Sequence, residues 1–108
     1  MKRLRNKADR LLQEHIRKNY TKCEYCSNQS QVGHHFVPKS VCSNLRYDLA
    51  NVIPLCHGCH MKHHNGDPMI HAYIVKKRGD TWFKYIARNR KIVKVNKGFY
   101  KEAIKQLE

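Results

Sequence analysis

Long apolar runs are missing from this sequence. Although 41% of its residues are hydrophobic, no segment approaches the roughly 20 consecutive apolar residues that a membrane-spanning helix requires. No membrane partner is therefore expected. The charged opening MKRLRNKADR is not followed by an apolar segment. The expectation is a chain without a secretory leader, working in the cytoplasm. Acidic residues are scarce: 8 aspartates and glutamates stand against 22 lysines and arginines, a formal net charge of +14. A field of that size draws in polyanions, and nucleic acid is the expected partner. The basic residues lack a strongly apolar opposing face, which argues against adsorption to a membrane surface. Low-complexity linkers and internal repeats are also missing, apart from one doubled motif described below. At 108 residues, the expectation is a single domain with a small core.

The elements follow from periodicity and punctuation. Over 4–18, Leu4, Ala8, Leu11, Leu12 and Ile16 recur at helical spacing among basic residues, predicting an amphipathic helix. HHFVPKSV predicts a strand reaching Pro38, and part of LRYDLANVIPL predicts a loop leading to a short strand at Val52–Ile53. CHGCHMKHHN predicts a short helix stopped at Asn65–Gly66. Asp67–Pro68 opens a further helix that runs to Gly79, and Asp80 or Thr81 caps the next, which buries Trp82, Tyr85 and Ile86. Asn96 caps a last helix containing Tyr100, Ile104 and Leu107. The expected fold class is α+β, with a core at about 20–66 and a helical segment at about 67–108.

The doubled motif is C-x-x-C. Cys23 and Cys26 are separated by 29 residues from Cys56 and Cys59. Two such knuckles suit tetrahedral thiolate ligation of one structural zinc ion (Zn2+). In a reducing compartment spaced cysteines bind metal more often than they form disulfides. CHGCH also has the letters of a haem attachment site, but that use would leave Cys23 and Cys26 without a role. Cys42 is left over and is expected to pack as a small apolar residue.

Six of the eight histidines lie between 34 and 64. On a strand, the adjacent His34 and His35 point to opposite faces, so one suits a metal and the other a substrate. His60 and His64 share one face of a helix. His34, His60 and His64 would hold a divalent ion with open positions for phosphate and water. His35 beside them suits a general base. His63 is a second candidate for the last ligand.

HH at 34–35, Asn51, His60, His64 and the run NVIPLCHGCHMKHH together resemble the HNH, or ββα-metal, endonuclease family. The intervals of sixteen, nine and four residues from His35 through Asn51 and His60 to His64 are similar to those of its colicin-type branch. The resemblance covers about 23–65 and implies a ββα-metal core stapled by zinc. It implies metal-dependent hydrolysis of DNA phosphodiesters to 5′-phosphate and 3′-hydroxyl ends. His34, His60 and His64 would be ligands to one catalytic divalent ion (magnesium, manganese, nickel or zinc). His35 would be the base, and Asn51 would bond loop backbone and hold His35. The run GHHFVPKSVCSNLRYDLANV is further similar to lambda-type phage recombination endonucleases, which act on branched DNA. By that likeness Arg46 contacts phosphate near the cut; the alternative is a pair with Asp48 or Glu24.

Beyond the core, Lys2, Arg3, Arg5, Lys7 and Arg10 form one basic set. Lys76, Lys77, Arg78, Arg88, Arg90, Lys91, Lys94 and Lys97 form another. With Lys39 and Lys62 inside the core, they are expected to grip double-stranded DNA phosphates without reading sequence. Trp82 and Tyr85 are expected in the core rather than stacked on bases. No full helix-turn-helix is evident, so sequence preference should be relaxed. Two other functions suit part of this pattern. One is a non-catalytic zinc-ribbon DNA-binding module, and the other a subunit of a phage or mobile-element complex. A homodimer would serve double-strand cutting.

Overall fold

The computed structural model describes residues 1–108. Its first element is helix α1 (Lys2–Asn19), longer at both ends than the apolar period predicts. The apolar period locates only the buried stripe, whereas flanking basic residues extend a helix at little cost. Ala8, Leu12 and Ile16 form that stripe. A knuckle at Cys23–Ser27 follows, closed by the Ser27 amide donating to the Cys23 carbonyl, with Ser27 in the left-handed region at φ 68°.

Strand β1 is Val32–His35 and strand β2 is Val52–Leu55; they pair antiparallel, His34 opposite Ile53 and His35 opposite Val52. The predicted first strand, HHFVPKSV, is thus displaced. Pairing begins two residues before the predicted stretch, at Val32, and ends at His35. Past that point the Phe36 amide still donates to the Asn51 carbonyl, but Val37 bonds the Asn51 side chain instead of a strand. Pro38 then offers no donor for a ladder.

Alternation along β2 splits its side chains between two partners. Val52 packs with Leu12 and Ile16 of α1. Ile53 and Leu55 pack with Cys23, Cys56 and Cys59 and with Ile70 and Ile74. Gly33 lies on the α1 side, where an added Cβ would stand 2.8 Å from Val52 Cγ1 and 3.0 Å from Ile16 Cγ1. Its amide donates to Gln13 Oε1 (2.8 Å) and its carbonyl accepts from Gln13 Nε2 (2.9 Å). The Gln13 side chain therefore completes the sheet edge as a third strand would. Opposite Gly33 sits Pro54, whose carbonyl accepts from the Glu24 amide.

Four helices follow: α2 (His57–His64), α3 (Met69–Arg78), α4 (Asp80–Asn89) and α5 (Lys97–Leu107). Asn96 caps α5 by accepting from the Phe99 amide, as its type predicts; at α3 the cap position falls on Pro68, and Asp67, one residue earlier, accepts from the Met69 amide. The expected cap of α4 by Asp80 or Thr81 is not made. Gly79, at φ 88°, turns the chain between α3 and α4, and Asp80 already lies in the first turn. There its charge meets the helix dipole favourably. Ile86 is buried, whereas Trp82 and Tyr85 are half-buried. Helix α5 packs on α1 through Tyr100, Ala103 and Ile104 against Ala8. The architecture is α+β, with two strands and α2 framed by α1 on one side and α3–α4 on the other. No helix is long and apolar enough to cross a membrane.

Candidate functional site

The knuckle before β1, the end of β2 and the first turn of α2 gather the cysteines. The sulfurs of Cys23, Cys26, Cys56 and Cys59 all lie within 4.8 Å of one another, Cys26 and Cys56 at 3.6 Å. None forms a disulfide. Four sulfurs on one zinc ion, each at about 2.3 Å, stand about 3.8 Å apart in a tetrahedron, so this cluster has the donors and spacing to hold zinc. Burial raises the Cys59 thiol, and the three neighbouring sulfurs raise it further. Burial also raises Cys23, but the amides of Cys26, Cys56 and Tyr25 outweigh that and bring it to about 7. Cys56 Sγ also accepts from the Cys59 amide and starts α2. Cys42 stands apart, buried with Val37, Leu45 and Ile86.

α2 then delivers the histidines. One nitrogen each from His34, His60 and His64 lies within 4.8 Å of the other two. His60 Nε2 and His64 Nε2 are 2.9 Å apart. At that separation either one donates to the other, or two lone pairs converge on a shared cation. Burial and the neighbouring histidines hold His34 well below the usual imidazole range, at about 3. Burial lowers His60 as well, with His64, His63 and His57 adding to the effect. Neutral imidazoles of this kind are what a metal requires. The donor set therefore suits a divalent ion. His63 packs edge-on against His34, ring centroids 4.5 Å apart, and parallel to His71, but none of its nitrogens joins the three that converge, and its Nδ1 is buried without a partner. His71 in turn stacks on Phe36.

His35 faces the opposite side of β1, toward α1. Its Nε2 lies 2.8 Å from the Arg46 carbonyl. A carbonyl only accepts, so Nε2 carries the proton and Nδ1 is the basic atom. Burial lowers this imidazole, and the carbonyl only partly offsets that. Asn51, fully buried, ties the β1–β2 loop. Its Oδ1 accepts from the Val37 amide, and its Nδ2 donates to the carbonyls of Val37 and Leu45. Leu45 directly precedes Arg46, so Asn51 and His35 hold the same stretch of loop.

The two histidine groups border one cleft of about 630 Å³, lined also by Gln13, Lys39, Ser40 and Arg46. Arg46 pairs with neither Asp48 nor Glu24. Its Nε and Nη2 reach Asp9 Oδ1 and Oδ2 at 3.2 and 2.7 Å, and Tyr47 Oη donates to the same carboxylate at 2.7 Å. Burial raises the Asp9 carboxyl, but these bonds outweigh it and hold the group below the usual carboxylate range. Asp48 instead accepts from Tyr85 Oη, and Glu24 holds Arg78 through two bonds of 2.7 and 2.6 Å. Arg78, expected among the phosphate-gripping residues, also donates to the Ala50 carbonyl and lies over Trp82. It braces the fold and is not free for DNA.

Of the other basic residues expected at DNA, Lys39 alone lines this cleft. Lys2, Arg3 and Arg5 start α1, Lys62 lies on α2, and Arg88 is on α4. Arg90 borders a separate groove with Phe36, His71 and Phe83. The contributions of Asp9 and Gln13 had no signal in the sequence, because both lie on a helix whose pattern reports only its buried stripe.

No curated protein and no solved structure matches the chain. Residues 23–66 match the family model of the HNH endonuclease, which spans both cysteine pairs, β1, β2 and α2. The two strands, the helix and the cysteine cluster fit a ββα-metal fold, and this segment, less than half of the chain, is similar to an HNH endonuclease domain, a likeness that suggests a nuclease-type or DNA-binding function.

Proposed function

We propose that the protein is a metal-dependent DNA endonuclease, one HNH nuclease domain over 1–108, cutting phosphodiesters to 5′-phosphate and 3′-hydroxyl ends. The observation that carries this reading is the cleft itself. Three imidazole nitrogens converge on one side of it, and on the other His35 is held with its basic Nδ1 unprotonated. His34, His60 and His64 would hold a divalent ion (magnesium, manganese, nickel or zinc), which would supply Lewis-acid stabilisation of charge on the phosphate and on the leaving 3′ oxygen. His35 Nδ1 accepts a proton from the attacking water, while Nε2–H stays bonded to the Arg46 carbonyl. Asn51 keeps the loop in place so that this carbonyl does not drift. Lys39 and Arg46 add positive charge where the scissile phosphate would lie. Cys23, Cys26, Cys56 and Cys59 would hold a structural zinc and so tie the segment before β1 to the start of α2. The substrate is double-stranded DNA, with branched DNA to be compared beside it. Cutting both strands would take two such centres and hence a homodimer or a larger phage-type complex.

A plasmid assay tests the reading. Supercoiled DNA is incubated with wild type or His35→Ala, in EDTA or in added magnesium, manganese or nickel. Wild type should nick or linearise the plasmid only with added metal. His35→Ala should bind DNA equally but cut about 10²–10⁴-fold more slowly. Cleavage by both proteins removes His35 from its role. Salt-sensitive binding without cleavage by wild type would identify a DNA-binding module instead.

A further inference from the structure

Asp9 belongs to α1, outside the HNH segment, yet it touches the residue that joins both halves of the cleft. Arg46 is held at two points. Its carbonyl accepts from His35 Nε2, and its guanidinium is forked onto the Asp9 carboxylate. The fork uses Nε and one proton of Nη2. Both Nη1 protons and the second Nη2 proton have no partner in the protein. Arg46 borders the cleft with the histidines, and its side chain is only 18% exposed. A planar guanidinium clamped along one edge presents the other edge in a fixed direction, the geometry that suits bidentate recognition of phosphate. Lys39 lines the same wall.

An acid beside a DNA-binding cleft is otherwise unfavourable. It repels phosphate, and this chain has only 8 acidic residues against 22 basic ones. We infer that Asp9 is a positioning residue: it clamps Arg46 so that the free guanidinium edge and Lys39 form a subsite for a DNA phosphate beside His35. The inference rests on the nuclease reading. It makes α1 part of the site, although the family match begins only at Cys23.

The two roles open to Asp9, positioning and simple charge neutralisation, differ in their effect on kcat rather than on DNA binding. Asp9→Asn removes a negative charge from beside the cleft. It should leave DNA affinity unchanged or tighter while lowering kcat by about 10-fold or more, toward the roughly 10²-fold loss expected of Arg46→Ala. In a double-mutant cycle, Asp9→Asn should have no further effect on kcat once Arg46 is alanine. Ala103→Gly is the folding control, since Ala103 is buried between α5 and α1 against Ala8 and does not line the cleft. It should lower the melting temperature and keep kcat close to wild type. Asp9→Asn with wild-type kcat, additive losses in the cycle, or an equal kcat loss in Ala103→Gly would each overturn the inference while leaving the nuclease reading intact. An inactive wild type would overturn both.

Discussion

Asn51 does more for the loop than its size suggests. Three backbone groups depend on one buried amide. Asn51→Ala would strand the Val37 amide and two carbonyls away from water. A loss of about 3 kcal/mol is expected, read from denaturant midpoints. Cleavage should fall with it, because Leu45 and Arg46 would lose their anchor. The histidines make a separate prediction at the same scale. His34, His35, His60 and His63 all take up protons less readily in the folded protein than the usual value of 6.5, His34 at about 3. The unfolded chain therefore binds more protons below pH 6.5. Their contribution is fully present above 6.5 and is lost as the pH falls toward about 3 for His34. Melting temperature should drop between pH 7 and 5. His34→Gln should flatten that drop, and an unchanged slope would remove His34 from the explanation.

Between elements, Gly33 decides how near α1 can come. It stands where a methyl group would meet Val52 and Ile16, so Gly33→Ala should force α1 away from the sheet at a cost of about 1–3 kcal/mol. The movement should show as a parallel loss of cleavage, because Asp9 and Gln13 travel with α1. A folded, fully active Gly33→Ala protein would mean that α1 is not tied to the site. The same contact explains why the first strand lies earlier in the chain than its β-branched and aromatic residues suggest. A strand is placed by what its edges bond to. Gln13 satisfies Gly33 at one end and Asn51 captures Val37 at the other, and no local period carries either bond.

Two properties belong to the whole molecule. If the cysteine cluster holds zinc, purified protein contains one zinc per chain apart from any ion at the histidines. Cys56→Ser then yields an unfolded protein, since metal binding and folding are one event in small sites of this type. A metal-free, folded Cys56→Ser protein would reject the assignment. The charge of +14 predicts DNA affinity that falls steeply with salt. Lys39→Ala should lower the slope of log affinity against log salt by about 1. An unchanged slope would place the DNA elsewhere than in this cleft.

Much of this was legible in one dimension because some chemistry depends only on spacing. Two residues between cysteines suit one metal, and four positions along a helix return a histidine to the same face. Charge is a plain sum, and Asn96 caps its helix by residue type alone. The family match over 23–66 covers the segment where such local rules operate. What the sequence could not settle are meetings between residues that no period relates. Arg46 had Asp48 and Glu24 as nearby or plausible acids, yet its partner is Asp9, 37 positions away. Arg78 looked free for DNA and is taken up by Glu24 across 54 positions. Ion pairing falls off with distance in space rather than along the chain, and buried polar groups must find partners wherever packing puts them. The sequence by itself determined which side chains can bind metal and phosphate; only the packing of α1 against β1 and β2 decided which charges remain free to do so.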